Sequence, residues 1–194
     1  LLGQNVNSYG AGGAADFAGL LDRACAVEGI ARVRFTTSHP KDLSERLARR
    51  FGELEALMPQ IHLPVQAGAD AVLARMNRRY TRAGYLDKVA LLRKHRPDID
   101  ITTDIIIGFP GETAADFEQT MSLVREVGFG GAFSFKYSIR PGTRAAGFAD
   151  DVPPAEKSRR LAALQALVQE LAFQKNRALV GRTLPVLVEG PSRD

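Results

Sequence analysis

The stretch DIDITTDIIIGFPGET, running from Asp98 to Thr113, decides the fold. Ile105, Ile106 and Ile107 follow one another without alternation, as expected of a strand buried on both faces of a parallel sheet. Gly108 to Glu112 then supply a turn rich in glycine and proline. Thr113, with Asp116 three residues on, forms a helix-capping pair. Behind it Phe117, Met121 and Val124 recur at helical spacing as far as Gly128. A strand, a polar loop and a helix, in that order, make the unit from which the rest of the chain is read.

Downstream, GAFSFKYS (131–138) is a further strand, followed by Arg140-Pro141-Gly142-Thr143. Upstream, IHLPVQ (61–66) is a short strand leading to a helical stretch from Ala69 to about Arg79. A second helix there has Tyr85, Val89 and Leu92 on one face. RVRFTTSHP (32–40) is a strand through Thr37 and then a loop, with Pro40 suited to open a helix. That helix repeats Leu43, Leu47, Phe51, Leu54 and Leu57 until Pro59 closes it. Before it, Phe17, Leu20, Leu21, Ala24 and Val27 predict a helix stopped by Gly29. LLGQNVNSYG (1–10) reads as the end of a buried strand. Such alternation predicts right-handed parallel βαβ units, in a barrel or a doubly wound sheet. Both bind ligands at the C-terminal ends of their strands.

The rhythm breaks at residues 152–181, a long helix with Leu161, Leu164, Val168 and Leu171 on one face, read as a connector leaving the sheet. TLPVLVEG (183–190) reads as the first strand of another unit.

Composition narrows the function classes. The chain has 194 residues, 45% hydrophobic and 25% charged, which suits one substantial core. No run approaches the roughly 18 consecutive apolar residues of a membrane span. A single cysteine, Cys25, leaves no internal disulfide and no cysteine-based metal site from this chain alone. At i+4 from Leu21, it reads as a small buried hydrophobe. The formal charge of +4 is a mild basic bias that does not by itself indicate nucleic acid.

The candidate ligand-binding rim follows each strand: Gly3-Gln4-Asn5, Ser38-His39-Pro40, Gln66-Ala67-Gly68, Gly108 to Glu112, and Tyr137-Ser138 with Arg140 to Thr143. Each has a plainer reading. Gly108 and Gly111 also suit a simple turn, and His39 a loop hydrogen bond. His62, in a strand, and His95, near a helix end, lack a second histidine at metal spacing. Asp104 is a carboxylate inside an apolar strand, costly unless paired or aimed at a ligand. Lys136 alternates with Phe133, Phe135 and Tyr137, where polar residues facing inward would line a barrel. Arg140 suits a carboxylate or phosphate.

In order, LLGQNVNSYG, RFTTSHPKDL, IHLPVQAGAD, LARMNRRYTRAGY, TTDIIIGFPGET and FSFKYSIRPGT closely resemble the MiaB family of tRNA methylthiotransferases, members of the radical S-adenosylmethionine (SAM) enzymes. The resemblance implies a partial TIM-type parallel β/α barrel over residues 1–150 with its first strand absent. A connecting helix over 151–180 and the truncated start of a TRAM β-barrel over 181–194 would follow. It implies methylthiolation of N6-isopentenyl (dimethylallyl) adenosine in tRNA next to the anticodon, in the cytoplasm. The expected partners are tRNA, an electron donor and a sulfur source, with no membrane and a monomeric state. The expected cofactors are SAM and two [4Fe–4S] clusters held by cysteines this chain lacks, so the chain alone is expected to be inactive. A sibling methylthiotransferase acting on another tRNA adenosine or a ribosomal protein, and a non-catalytic nucleotide- or RNA-binding module, are the alternatives.

By position, the resemblance places Gly3, Gln4 and Asn5 near the methionine amino group of SAM. Gln66 is placed near its ribose or carboxylate, Asp104, Gly108 and Glu112 near its adenine, and Tyr137 and Arg140 behind the nucleoside. Ser38 and His39 complete the cofactor rim. The chain departs from the family at Ala67 and Ala69, where serines are usual, and at Ile139 and Arg144, where prolines are usual.

Overall fold

A computed structural model describes residues 1–3, 5–10, 15–36, 38–188 and 190–191. Three strands, β1 (Gln60–His62), β2 (Asp100–Ile107) and β3 (Gly131–Lys136), form a parallel sheet in the order β1-β2-β3. Six helices accompany them among the described residues: α1 (Phe17–Cys25), α2 (Glu45–Glu53), α3 (Asp70–Arg75), α4 (Arg82–His95), α5 (Ala114–Val127) and α6 (Pro154–Arg177).

The helix boundaries follow from side-chain chemistry. Asp16, Ser44 and Thr81 accept backbone N–H groups at the starts of α1, α2 and α4, and Thr113 and Asp116 form a reciprocal capping box on α5. Gly128, at φ 59°, ends α5 in the left-handed conformation. Two helices are shorter than the apolar spacing predicts. α1 stops at Cys25 and leaves Val27 54% exposed, and α2 leaves Leu43, Leu54 and Leu57 outside its ends. Leu57 serves instead as a strand-like partner of Val33.

Of the two strands expected at the N-terminal end, one keeps a single parallel bridge, Val33 to Leu57, and the other only hydrogen bonds at Leu1. Thr36 N donates to Leu1 O and Leu1 N to Arg34 O, which sets Leu1 beside the 34–36 segment. Val33 N donates to Ala56 O and Met58 N to Val33 O. The succession of neighbours is nevertheless that of a barrel wall, each segment parallel to the next in chain order.

β2 is not buried on both faces. Ile101, Thr103, Ile105 and Ile107 are buried toward the helices, while Asp100, Thr102, Asp104 and Ile106 are only half-buried. The wall is open, so its concave face carries no second layer and alternation returns. The main core holds Leu21, Phe51, Ile61, Tyr85, Leu92 and Phe129, none of them above 0% exposure. Each such side chain contributes about 1.5–3 kcal/mol relative to exposure.

α6 does not leave the sheet at once. It packs on β3 and α5, buries Leu164, keeps Leu171 against the core and reaches Asp100 through Lys175. Beyond it, residues 183–188 form no strand and are exposed, since one isolated strand has no ladder to join. None of the described helices is long and apolar enough to cross a membrane.

Candidate functional site: a cleft at the C-terminal ends of β2 and β3

The site is prepared by an interruption in the sheet. Pro64 cannot donate to a ladder. His62 pairs with Thr102, but Gln66 pairs with Ile105, so the register slips by one residue between them. Gln66 takes up the slip at φ 72°, in the left-handed region. The groups freed there are met by side chains. The Thr103 hydroxyl donates to Leu63 O (3.0 Å) and accepts from Val65 N (2.9 Å). Tyr85 donates to Leu63 O and Tyr80 to Val65 O. Burial raises both phenols, Tyr80 to about 12. Next, Gly68 lies so close to α5 that an added Cβ would stand 2.4 Å from Thr120 Cα.

The loop after β2 is clamped from three sides. Glu112 accepts from Gly108 N (3.1 Å) and from Arg160 Nη1 (2.6 Å), both charged side chains being buried. Burial pushes the Glu112 carboxyl up, opposed by its bonds from Arg160 and Gly108. Arg75 donates to Pro110 O at 3.0 Å. The Lys157 stem fills the space beside Gly108, which sits at φ 69°, and its ammonium reaches Asp150 at 2.5 Å and the Tyr137 ring at 5.3 Å. Gly108 and Glu112, read from the sequence as cofactor contacts, hold this loop in shape through these bonds.

Above the loop opens a cleft of about 380 Å³ lined by Gln66, Asp104, Tyr137 and Arg140, together with Arg78 and Phe109. Asp104 Oδ1 lies 3.4 Å from His62 Nε2, and His62 Nδ1 lies 3.1 Å from Thr102 Oγ1. Phe109 packs edge-on to Tyr137 at 5.1 Å and forms the apolar floor with Ala67, Ala69, Val72 and Leu73. Ala67 and Ala69 are 1% and 0% exposed, so serine hydroxyls there would enter this apolar cluster, and alanine avoids that cost. Lys136 reaches toward Ser158 on α6 at 3.4 Å, while Phe133 and Phe135 take the concave side.

The remaining rim residues sit on neighbouring loops. The Asn7 amide holds the His39 backbone at both ends, donating to His39 O and accepting from His39 N, each at 2.9 Å. Asn5 Nδ2 donates to Asp42 (2.7 Å), whereas Asn5 Oδ1 and Ser38 Oγ are buried with no partner among the described residues. His39 packs edge-on to Tyr80, and its imidazole is lowered by burial first and then by the charges of Arg78 and Lys41. Arg78 thus links this loop to the cleft. Gly3 and Asn5 line a separate cleft with Leu1, Leu2 and Phe17, and Gln4 lies outside the described residues.

These groups fit a nucleoside that carries both a carboxylate and an ammonium. Neither Arg78 nor Arg140 is in an ion pair among the described residues, so either can take a carboxylate. The unpartnered oxygens of Asn5 and Ser38 suit a donor such as an ammonium. SAM has this chemistry. An iron–sulfur cluster does not fit this chain: its single cysteine, Cys25, lies half-buried on α1, where burial and then Asp22 raise the thiol. No group of three or more metal-binding side chains occurs among the described residues.

Sequence reasoning missed Asn7, Arg78, Lys157 and Arg160. The last two stand in a charge-rich helix turn that reads as solvated, yet both are 5% exposed. Lys157 meets Asp150 only seven residues back, whereas Glu112, the buried partner of Arg160, lies 48 residues away.

Three comparisons extend these observations. The chain is 56% identical to the tRNA-2-methylthio-N(6)-dimethylallyladenosine synthase of Geobacter sulfurreducens over 195 aligned residues, 100% of this chain and 44% of that protein. It is 51% identical to the synthase of the same name from Methylococcus capsulatus, covering 100% of this chain and 43% of the relative. The chain thus spans less than half the length of these curated relatives. In structure it is similar to coproporphyrinogen III oxidase (HemN) from Escherichia coli, a radical SAM enzyme, with a TM-score of 0.58 and 19% identity over 72% of this chain and 32% of that one. That likeness supports the partial barrel. Residues 2–124 match the radical SAM superfamily, and the chain belongs to it.

Proposed function

We propose that the intact protein methylthiolates N6-dimethylallyladenosine in tRNA, next to the anticodon, by radical SAM chemistry. The observation that carries the reading is the cleft itself, where Gln66, Asp104, Tyr137, Arg78 and Arg140 converge at strand ends. Its sequence context is 50–56% identical to synthases named for that product. In this reading SAM, when bound, supplies the radical that opens the reaction. Arg78 holds its carboxylate, Ser38 on the adjoining loop meets the ammonium carried by the same carbon, and Phe109 and Tyr137 wall the nucleoside. The loop from Gly108 to Glu112 sets the depth of the cleft through its backbone.

The proposal includes the division into a barrel over 1–150, a helix over 151–180 and the start of a TRAM unit over 181–194. It also includes a monomeric, cytoplasmic enzyme fed by an electron donor and a sulfur source. The clusters would take ligands from outside these residues. The test is to incubate the intact protein, reconstituted with iron and sulfide, with SAM, a reductant and tRNA carrying dimethylallyladenosine. The nucleosides are then weighed by mass spectrometry. Gain of a methylthio group at that adenosine is the expected result. Modification of a ribosomal protein with none of the tRNA would replace this reading with the sibling activity.

A further inference from the structure

Six of the chain's phenylalanines, Phe17, Phe35, Phe51, Phe109, Phe117 and Phe129, are no more than 6% exposed. Phe133 and Phe135 on β3 are 63% and 55% exposed. Two residues apart on one strand, they stand side by side on the same face. That face is the concave one. The register sets Phe133 beside Asp104 and Phe135 beside Ile106, and the His62 ring lies edge-on to Phe133 at 6.0 Å. Phe135 also lines the cleft with Gln66 and Asp104. Phe173, another exposed phenylalanine, stands well along α6. The pair is therefore an apolar shelf that borders the site and has one carboxylate at its edge.

We infer that Phe133 and Phe135 receive the dimethylallyl group of the target adenosine and so set the enzyme's choice of substrate. The inference rests on the proposed function. What recommends this occupant is a match of chemistry. In N6-dimethylallyladenine a hydrogen-bond donor, N6–H, and a branched hydrocarbon leave the same nitrogen. On β2 and β3 an acceptor, Asp104, and an apolar shelf are register neighbours. A purely polar N6 substituent would leave the shelf uncovered and lose its own water. An unsubstituted adenine would leave the rings exposed.

Two anticodon stem-loop RNAs, identical except for the dimethylallyl group, test this by fluorescence anisotropy with the intact protein. Wild type should prefer the substituted RNA by about tenfold or more, the scale on which apolar pockets discriminate. Phe133→Ser and Phe135→Ser should each bring the ratio down severalfold, chiefly by weakening the substituted RNA, and Phe133→Leu should keep most of it. Melting temperature on all samples, and SAM affinity for the Phe133 variants, check folding. If a serine variant melted early, Phe133→Gln, polar but of similar reach, gives the same reading. An unchanged ratio in the polar variants, or equal weakening of both RNAs, overturns the inference alone, as does a wild type that binds both RNAs equally. A wild type that binds neither RNA overturns the proposed function and this inference with it.

Discussion

Two stretches of the same rim are built on opposite terms. The loop after β2, Gly108 to Glu112, is satisfied from within: Glu112 with Arg160 and Gly108, Pro110 with Arg75, and the Lys157 stem against Gly108. The loops carrying Asn5 and Ser38 leave a buried amide oxygen and a buried hydroxyl without partners among the described residues. Closed polar networks fix shape, whereas unclosed ones hold capacity for a ligand. The first loop is thus the frame of the cleft, and the proposed reading gives the unpartnered oxygens of the other two to a ligand's polar groups. Glycine- and glutamate-rich loops invite a direct binding role, but here the charge is spent internally.

The largest test of this contrast is to break the frame. Arg160→Ala leaves the Glu112 carboxylate buried and unpaired, and unfolding in urea should show a loss of about 3–5 kcal/mol. A loss below about 1 kcal/mol would mean that water already reaches the pair. Next comes Gly68→Ala, whose Cβ would meet Thr120 Cα at 2.4 Å and Gln119 O at 2.6 Å, both backbone atoms that cannot swing aside. Overpacking of this kind costs about 1–3 kcal/mol, and thermal melting should reveal it.

The other side of the comparison predicts the reverse pattern. Ser38→Ala removes a hydroxyl that no described group uses, so stability should stay within about 0.5 kcal/mol of wild type. SAM affinity of the intact protein, read by calorimetry, should fall about tenfold or more if that hydroxyl meets the ammonium, since a hydrogen bond to a charged group is worth about 1.5–3 kcal/mol. Lowered stability with unchanged affinity would assign Ser38 to the frame instead.

Why the sequence disclosed one half of this picture and not the other has a physical reason. The alternation of strands and helices, the Thr113 cap and the Gly128 stop are local, and each is read from neighbouring residues. The rim followed from topology once parallel strands were inferred, which is why Gln66, Asp104, Tyr137 and Arg140 do line one cleft. The register slip at Pro64 is not local, because it needs Thr103 to accept from Val65 N, and Tyr80 and Tyr85 to donate to the carbonyls of Val65 and Leu63. Nor is the burial of Arg160, whose partner Glu112 lies 48 residues away. The strand's alternation of Lys136 with Phe133 and Phe135 suggested polar residues facing inward, but the register with β2 puts Phe133 and Phe135 on the open concave face, where both are exposed.

The smallest expected effect is the one that best reports how the two rim halves communicate. His39 accepts a hydrogen bond from Lys41 N at Nδ1 (3.2 Å), which requires the neutral ring. Its pKa is lowered from 6.5, first by burial and then by the charges of Arg78 and Lys41. A group lowered on folding contributes stability that is complete above its unfolded value and is lost as pH falls through its folded value. Between those two values the unfolded chain binds the extra proton, so stability should decline as pH drops below about 6.5. NMR titration of the His39 ring in wild type should give a midpoint below that of a model peptide. Arg78→Gln, which removes one cation and leaves the burial, should move the midpoint part of the way back up. An unmoved midpoint would mean that Arg78 is screened from His39, and that the cleft and the Ser38–His39 loop are electrostatically separate.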